Sequence, residues 1–113
     1  MNKKYKVIYL PLFYKDLENI VDYIAYNLSN ISAAQNLLNE IQTAIETRAI
    51  CPTSYEKYYS NRKRKNTYYR IYVKNYVIFY VVHNDIMEVR RILYNKRDIN
   101  KTIRENLNEW EIY

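Results

Sequence analysis

The chain has 113 residues, enough for one domain with one modest core, and 49% of them are hydrophobic. It holds one cysteine (Cys51), one histidine (His83) and no run of about 18 apolar residues, which argues against an internal disulfide, a Cys/His zinc site and a transmembrane helix. The formal charge of +6 is unevenly held: residues 1–50 carry five cations and five acids, residues 51–113 carry 13 cations and seven acids, so the second half suits an acidic or polyanionic partner.

The N-terminal stretch MNKKYKVIYLP has lysines but only a short apolar run, broken by Pro11, and lacks the h-region of a signal peptide. A cytoplasmic protein with no membrane segment, metal or cofactor is expected. Within that stretch Lys4–Leu10 reads as a first strand. Phe13, Leu17, Ile20, Val21, Ile24 and Leu28 then recur at helical spacing, with Pro11 near the helix start, where its missing N–H is tolerated. Asp16 and Glu18 lie near the positive end of that helix. Ser32-Ala-Ala-Gln35 has the form of a capping box, and Leu37, Leu38, Ile41, Ala44 and Ile45 give a second apolar stripe that ends before Pro52. Two amphipathic helices joined by a few residues predict an antiparallel hairpin.

Residues 53–66 are polar, tyrosine-rich and basic, and read as a loop that ends in the cation run Arg62, Lys63, Arg64, Lys65. Three strands are predicted next, over Thr67–Val73, Tyr76–Val82 and Ile86–Leu93, with turns at Lys74-Asn75 and Asn84-Asp85. With no glycine in the chain, Asn75 and Asn84 are expected at the positive-φ turn positions. YVIFYVV is apolar at nearly every position, as a central strand covered on both faces would be. Ile99, Ile103, Leu107 and Trp110 fit a last short helix, with Asp98 as its cap. The order β-α-α-β-β-β-α predicts a single α+β domain over residues 1–113, with a helical hairpin packed on one face of a small, mostly antiparallel sheet.

Three stretches carry a family resemblance: DLENIVDYIAYNLSNISAAQNLLNEI, the hairpin YRIYVKNYVIFYVV, and EVRRILYNKRDI, with its Arg-Asp after an apolar strand. In this order, over about residues 7–99, the chain resembles the RelE/ParE toxins of bacterial type II toxin–antitoxin modules, also called plasmid stabilisation proteins. The resemblance implies a toxin that arrests growth and is neutralised by an acidic cognate antitoxin, an arrangement that allows a toxin–antitoxin hetero-oligomer. Two activities occur on the one fold, so the fold does not choose between them. ParE-type members poison DNA gyrase; RelE-type members cleave mRNA on the ribosome by attack of the substrate's own 2′-OH.

For the ribonuclease the resemblance implies Arg70, Arg97 and Tyr94 as catalytic residues. Arg97 would clamp the scissile phosphate, whose oxygens a planar guanidinium matches. Arg70, alternating with Ile71 and Val73, would project from the face opposite them, beside Tyr72. Plainer roles stay open: Arg97 in a salt bridge to Asp98 or a hairpin acid, Arg70 on a solvated sheet face, Tyr94 packed at a sheet edge. His83, beside a predicted turn, is a weak candidate base. Cations available to a nucleic acid or protein target are Arg62, Lys63, Arg64, Lys65, Arg90, Arg91 and Lys96. Ile103, Leu107 and Trp110 either line an antitoxin groove or complete the core. In one respect the chain departs from the ribonucleases: where they commonly carry an arginine after the tyrosine that opens the central strand, Val77 follows Tyr76. With the long DLENIVDYIA helix and the IFY strand, this places the chain nearer the ParE branch, with mRNA cleavage as the alternative.

Overall fold

The structure, a computed structural model, describes residues 5–58 and 66–95. The chain starts in strand β1 (Lys6–Tyr9), enters helix α1 (Pro11–Asp22), widens into a π-helical turn (Tyr23–Asn27) and returns along helix α2 (Ile31–Arg48). Strands β2 (Lys57–Tyr58), β3 (Tyr68–Val73), β4 (Tyr76–His83) and β5 (Ile86–Tyr94) follow. These strands form a sheet in the order β1-β5-β4-β3-β2, in which β1 runs parallel to β5 and the other pairs are antiparallel. The expected α+β architecture, a helical hairpin on one face of a mostly antiparallel sheet, is therefore observed. Among the described residues no helix is long and apolar enough to cross a membrane.

Burial follows from periodicity. Phe13, Leu37, Ile41, Ile45 and Ala49 meet Tyr69, Ile71, Val73, Ile78, Tyr80, Met87, Val89 and Ile92 in the main core between the helices and the sheet. The second face of the sheet has its own buried cluster, Tyr68, Val77, Phe79 and Val81, with Tyr58 and Leu93 packed against it. β4 is thus apolar on both faces because it lies centrally and contributes to both clusters.

Several local expectations are corrected. The cap of α2 is Asn30, whose Oδ1 accepts from the Ala33 N–H at 3.0 Å, so Ser32 lies inside the helix and the Ser32–Gln35 capping box is not used. Leu28 does not complete the first apolar stripe. The wider π turn, closed by Leu28 N–H to Tyr23 O, rotates it outward, and it is 56% exposed. Positive φ falls on Ser29, Lys74 and Asn84; the first β-hairpin thus uses Lys74, not Asn75. The expected loop 53–66 contains the short edge strand β2, paired with Tyr68 and Tyr69. The predicted last helix around Ile99, Ile103, Leu107 and Trp110, with its cap Asp98, lies outside the described residues.

The junction of α1 with β5 fixes how hairpin and sheet meet. β1 pairs with β5 only over Ile86–Val89, because Pro11 turns the chain into α1 soon after Tyr9. Beyond that point the edge of β5 would be open. A register shift between Phe79 and Tyr80 leaves Arg90 as the extra residue of a β-bulge, since Phe79 pairs with Arg91 and Tyr80 with Val89. Asp16, one and a half turns into α1, takes the strand's place. Its carboxylate accepts from the Ile92 N–H (3.1 Å) and from Nε (2.7 Å) and Nη2 (2.9 Å) of Arg91. Both side chains are nearly buried, at 13% and 9% exposure. Removing one partner of such a pair strands the other charge. Asp16→Ala is expected to lower the unfolding free energy by about 3–5 kcal/mol in urea titrations; Asp16→Leu combined with Arg91→Met is expected to recover part of that loss, the Ile92 N–H still lacking its acceptor.

Candidate functional site

The sheet face turned away from the helices gathers the polar residues that the strands alternate outward. Tyr68, Arg70 and Tyr72 alternate along β3 with the core residues Tyr69, Ile71 and Val73. Arg70 lies between two tyrosine rings, its guanidinium carbon 4.9 Å from the Tyr58 centroid and 5.6 Å from that of Tyr72. Among the described residues no carboxylate forms a salt bridge with it. A planar cation held by ring stacking, with its edge donors unclaimed by an acid, is suited to an anion or a carbonyl-rich surface. Behind it, Arg48 at the end of α2 donates through Nη1 to the Arg70 carbonyl (2.8 Å) and to the Tyr80 hydroxyl (2.9 Å), and stacks 3.5 Å from the Tyr55 centroid. The helix end thereby sets the position of the strand that carries Arg70.

A second polar group on the same face is internal. Arg90, at 3% exposure, donates through Nε to Glu88 (2.8 Å) and through Nη1 to the Tyr68 hydroxyl (3.1 Å), and its Nη2 lies 2.7 Å from Glu88. His83 Nε2 stands 3.9 Å from the same Glu88 carboxylate. Arg90 and Arg91 were expected to offer charge to a target. Both are instead buried, their guanidinium groups turned to Glu88 and Tyr68 in one case and to Asp16 in the other, and their visible work is to hold β5 in place. Val77, the residue at the ribonucleases' arginine position, is 1% exposed within the apolar cluster of this face.

Tyr94 is not brought to Arg70. It pairs across the ladder with Tyr76, the two rings meeting edge-on at 5.6 Å, and Tyr76 packs against the helix-side core. Arg70 pairs with Phe79, on the opposite face. Two of the three residues expected for RNA cleavage therefore lie on different faces of the sheet. The third, Arg97, is outside the described residues, as are Lys96, the run Arg62–Lys65, and Ile103, Leu107 and Trp110. No group of three or more His, Cys, Asp or Glu side chains able to hold a metal occurs among the described residues.

With this geometry in place, the comparison with known families is specific. A family model described as ParE toxin of type II toxin–antitoxin system, parDE, matches residues 7–99. The chain belongs to the ParE toxin family. No curated protein matches it. As a toxin of a type II module this ParE-family chain has a cognate antitoxin for a partner.

Sequence reading missed Asp16 as the partner of Arg91, because a contact between residues 75 apart leaves no periodic trace. It also missed Arg48 as the brace of β3. The Glu88–Arg90 pair was legible in principle: residues two apart on a strand share a face.

Tyr80 joins the two halves of this architecture. It is fully buried, accepts from Arg48 and donates to the Pro52 carbonyl at 2.7 Å. Burial pushes its phenol above the ordinary value of 10.0, and the hydrogen bond and charge of Arg48 only partly offset this. Burial likewise raises Tyr9 and Tyr76. A raised acid keeps its proton longer in the folded state, so its contribution to stability is complete below pH 10 and is lost as pH rises through the folded value. Urea unfolding should show stability falling above about pH 10. Tyr80→Phe should cost about 1–2 kcal/mol at pH 7, from two lost hydrogen bonds, and make the alkaline decline shallower.

Proposed function

We propose that this toxin arrests bacterial growth in the cytoplasm by binding DNA gyrase and disturbing its DNA handling, with no bond-making chemistry of its own, and that an acidic cognate antitoxin neutralises it. The observation that carries this reading is the separation of Arg70 from Tyr94 by the thickness of the sheet, together with buried Val77 where a ribonuclease would place a cation. General acid–base cleavage of RNA needs its groups around one phosphate, within hydrogen-bond reach of the atoms that gain and lose protons. A protein-binding poison needs only a rigid surface of the right shape and charge. Family membership supports the toxin class, and the ring-stacked Arg70 offers one polar anchor on a face that also carries an apolar cluster and the internal Glu88–Arg90 pair. The basic charge of residues 51–113 supports an antitoxin segment that is acidic and folds as it binds.

The test is the identity of what fails in the cell and in the tube. Purified toxin is expected to inhibit supercoiling by reconstituted gyrase and to trap cleaved DNA, with induction of the DNA-damage response on expression. Transcripts cut at codons inside translating ribosomes, with cutting lost in Arg97→Ala, would instead establish the mRNA endonuclease and overturn the gyrase reading. Under the gyrase reading Tyr94→Phe leaves toxicity within about twofold of wild type, since the phenol does no proton transfer.

A further inference from the structure

The tip of the helical hairpin exposes large apolar groups where a monomer has no need of them. Tyr23 is 50% exposed, Tyr26 72%, Leu28 56% and Ile31 62%, all within nine residues at the bend between α1 and α2. The π turn contributes to this, because it rotates Leu28 off the core stripe. Turns of this type are uncommon and gather at functional sites. Clustered exposed tyrosines with a few aliphatic neighbours resemble the composition of protein-binding surfaces, in which tyrosine gives large contact area at small entropy cost.

Charge says what kind of partner fits. Residues 16–47 contain five carboxylates and not one lysine or arginine, in a chain whose total is +6. Asp16 is neutralised by Arg91 and Glu40 by Lys74. Glu18 and Asp22 are exposed, and the spacing 18, 22, 26 places them on one stripe of the helix with Tyr26, beside Tyr23. A carboxylate next to a tyrosine face is a receptor for a guanidinium or ammonium group: the acid takes the charge and the ring takes the cation's flat side. The chain's own tyrosines take the flat side of a guanidinium at Arg48–Tyr55 and Arg70–Tyr58. A nucleic acid or an acidic antitoxin would be repelled by the same stripe.

We infer that the hairpin tip, centred on Tyr26 with Asp22 and Leu28, is the surface by which the toxin engages its protein target, and that it docks on an arginine- and lysine-bearing, partly apolar surface of that target. The inference rests on the gyrase reading for the target's name but not for the surface itself. An enzyme that grips DNA phosphates carries basic surface of this kind. Antitoxin and target then use different sides of the toxin, the antitoxin on the cationic side and the target on the anionic hairpin.

Tyr26→Ala and Asp22→Lys test it, because both side chains are exposed and neither touches the core. Each variant is expected to keep the wild-type melting temperature and neutralisation by the co-expressed antitoxin. Binding to purified gyrase is expected to weaken at least about tenfold, with growth arrest reduced in step. The wild-type affinity is expected to fall with added salt, and the Asp22→Lys affinity less so. Folded variants that bind gyrase and arrest growth as wild type overturn the inference. So do variants that remain toxic but escape the antitoxin, which would make the tip the antitoxin's site, and a wild-type dimer in sedimentation that Tyr26→Ala dissolves, which would make it a contact between copies. If wild type arrests growth without binding gyrase, the gyrase reading fails alone; the inference then stands if Tyr26→Ala and Asp22→Lys lose the arrest and falls if they keep it. A wild-type chain that does neither overturns both.

Discussion

The carboxylate of Asp16 solves a problem that Pro11 creates. Pro11 ends β1 and opens α1, so among the described residues no strand lies beside the second half of β5 on that edge. A bare edge carries unpaired N–H groups that invite another strand. Asp16 takes the Ile92 N–H and closes on Arg91 with two further hydrogen bonds, so a helical side chain does the work of a missing strand. The same contact fixes the hairpin on the sheet, since α1 packs more closely against β5 than against α2. The cost of burying two charges is met only with this paired geometry. That makes the pair a device for positioning more than for raw stability: it fixes α1 against β5 at Arg91 and Ile92.

From that junction the molecule divides into two sides. The helix side is a continuous apolar core in which Tyr69 and Tyr80 stack at 5.2 Å, and the Tyr80 hydroxyl is satisfied by Arg48 and Pro52. Tyrosine can serve as core filler here only because such partners exist for its hydroxyl. The other side mixes a small apolar cluster with arginines held by rings and one carboxylate. Arg90 and Arg70, both on this side, do different things for a simple reason. Arg90 sits in a bulge with Glu88 two residues away and pairs with it, whereas Arg70 lies between the Tyr58 and Tyr72 rings and, among the described residues, makes no salt bridge.

Periodicity made most of the fold legible. The apolar spacing of Phe13, Leu17, Ile20 and Ile24, and of Leu37, Ile41 and Ile45, marked both helices and the faces they bury. The unbroken YVIFYVV marked the central strand. What sequence did not reveal was local energetics and long-range pairing. Asn30 and Ser32 are both good caps, and which one wins depends on where the bend leaves the backbone. Lys74 at φ 52° was not expected where Asn75 was available, and the hairpin register decided it. The π turn has no composition signal, so Leu28 read as core. At the candidate site, alternation correctly put Arg70 and Tyr72 on one face. In sequence the doublet Arg90-Arg91 looks like surface charge; the bulge and the distant Asp16 place both side chains in buried ion pairs.

The distribution of charge has a functional logic that its sum conceals. A chain of +6 invites the idea of a nucleic-acid binder, yet among the described residues several cations are engaged internally: Arg90 and Arg91 are buried in pairs, Arg48 braces β3, and Lys74 meets Glu40. The helical hairpin, by contrast, is purely anionic between Asp16 and Thr47. A protein that is acidic on one projecting element and basic on the rest is oriented by any strongly charged partner before contact is made. An acidic antitoxin and a basic enzyme surface would draw opposite sides of it. Among the described residues the guanidinium groups of Arg90 and Arg91 are bound up in building the sheet, Arg70 is held between tyrosine rings, and exposed tyrosines and carboxylates gather at the hairpin bend.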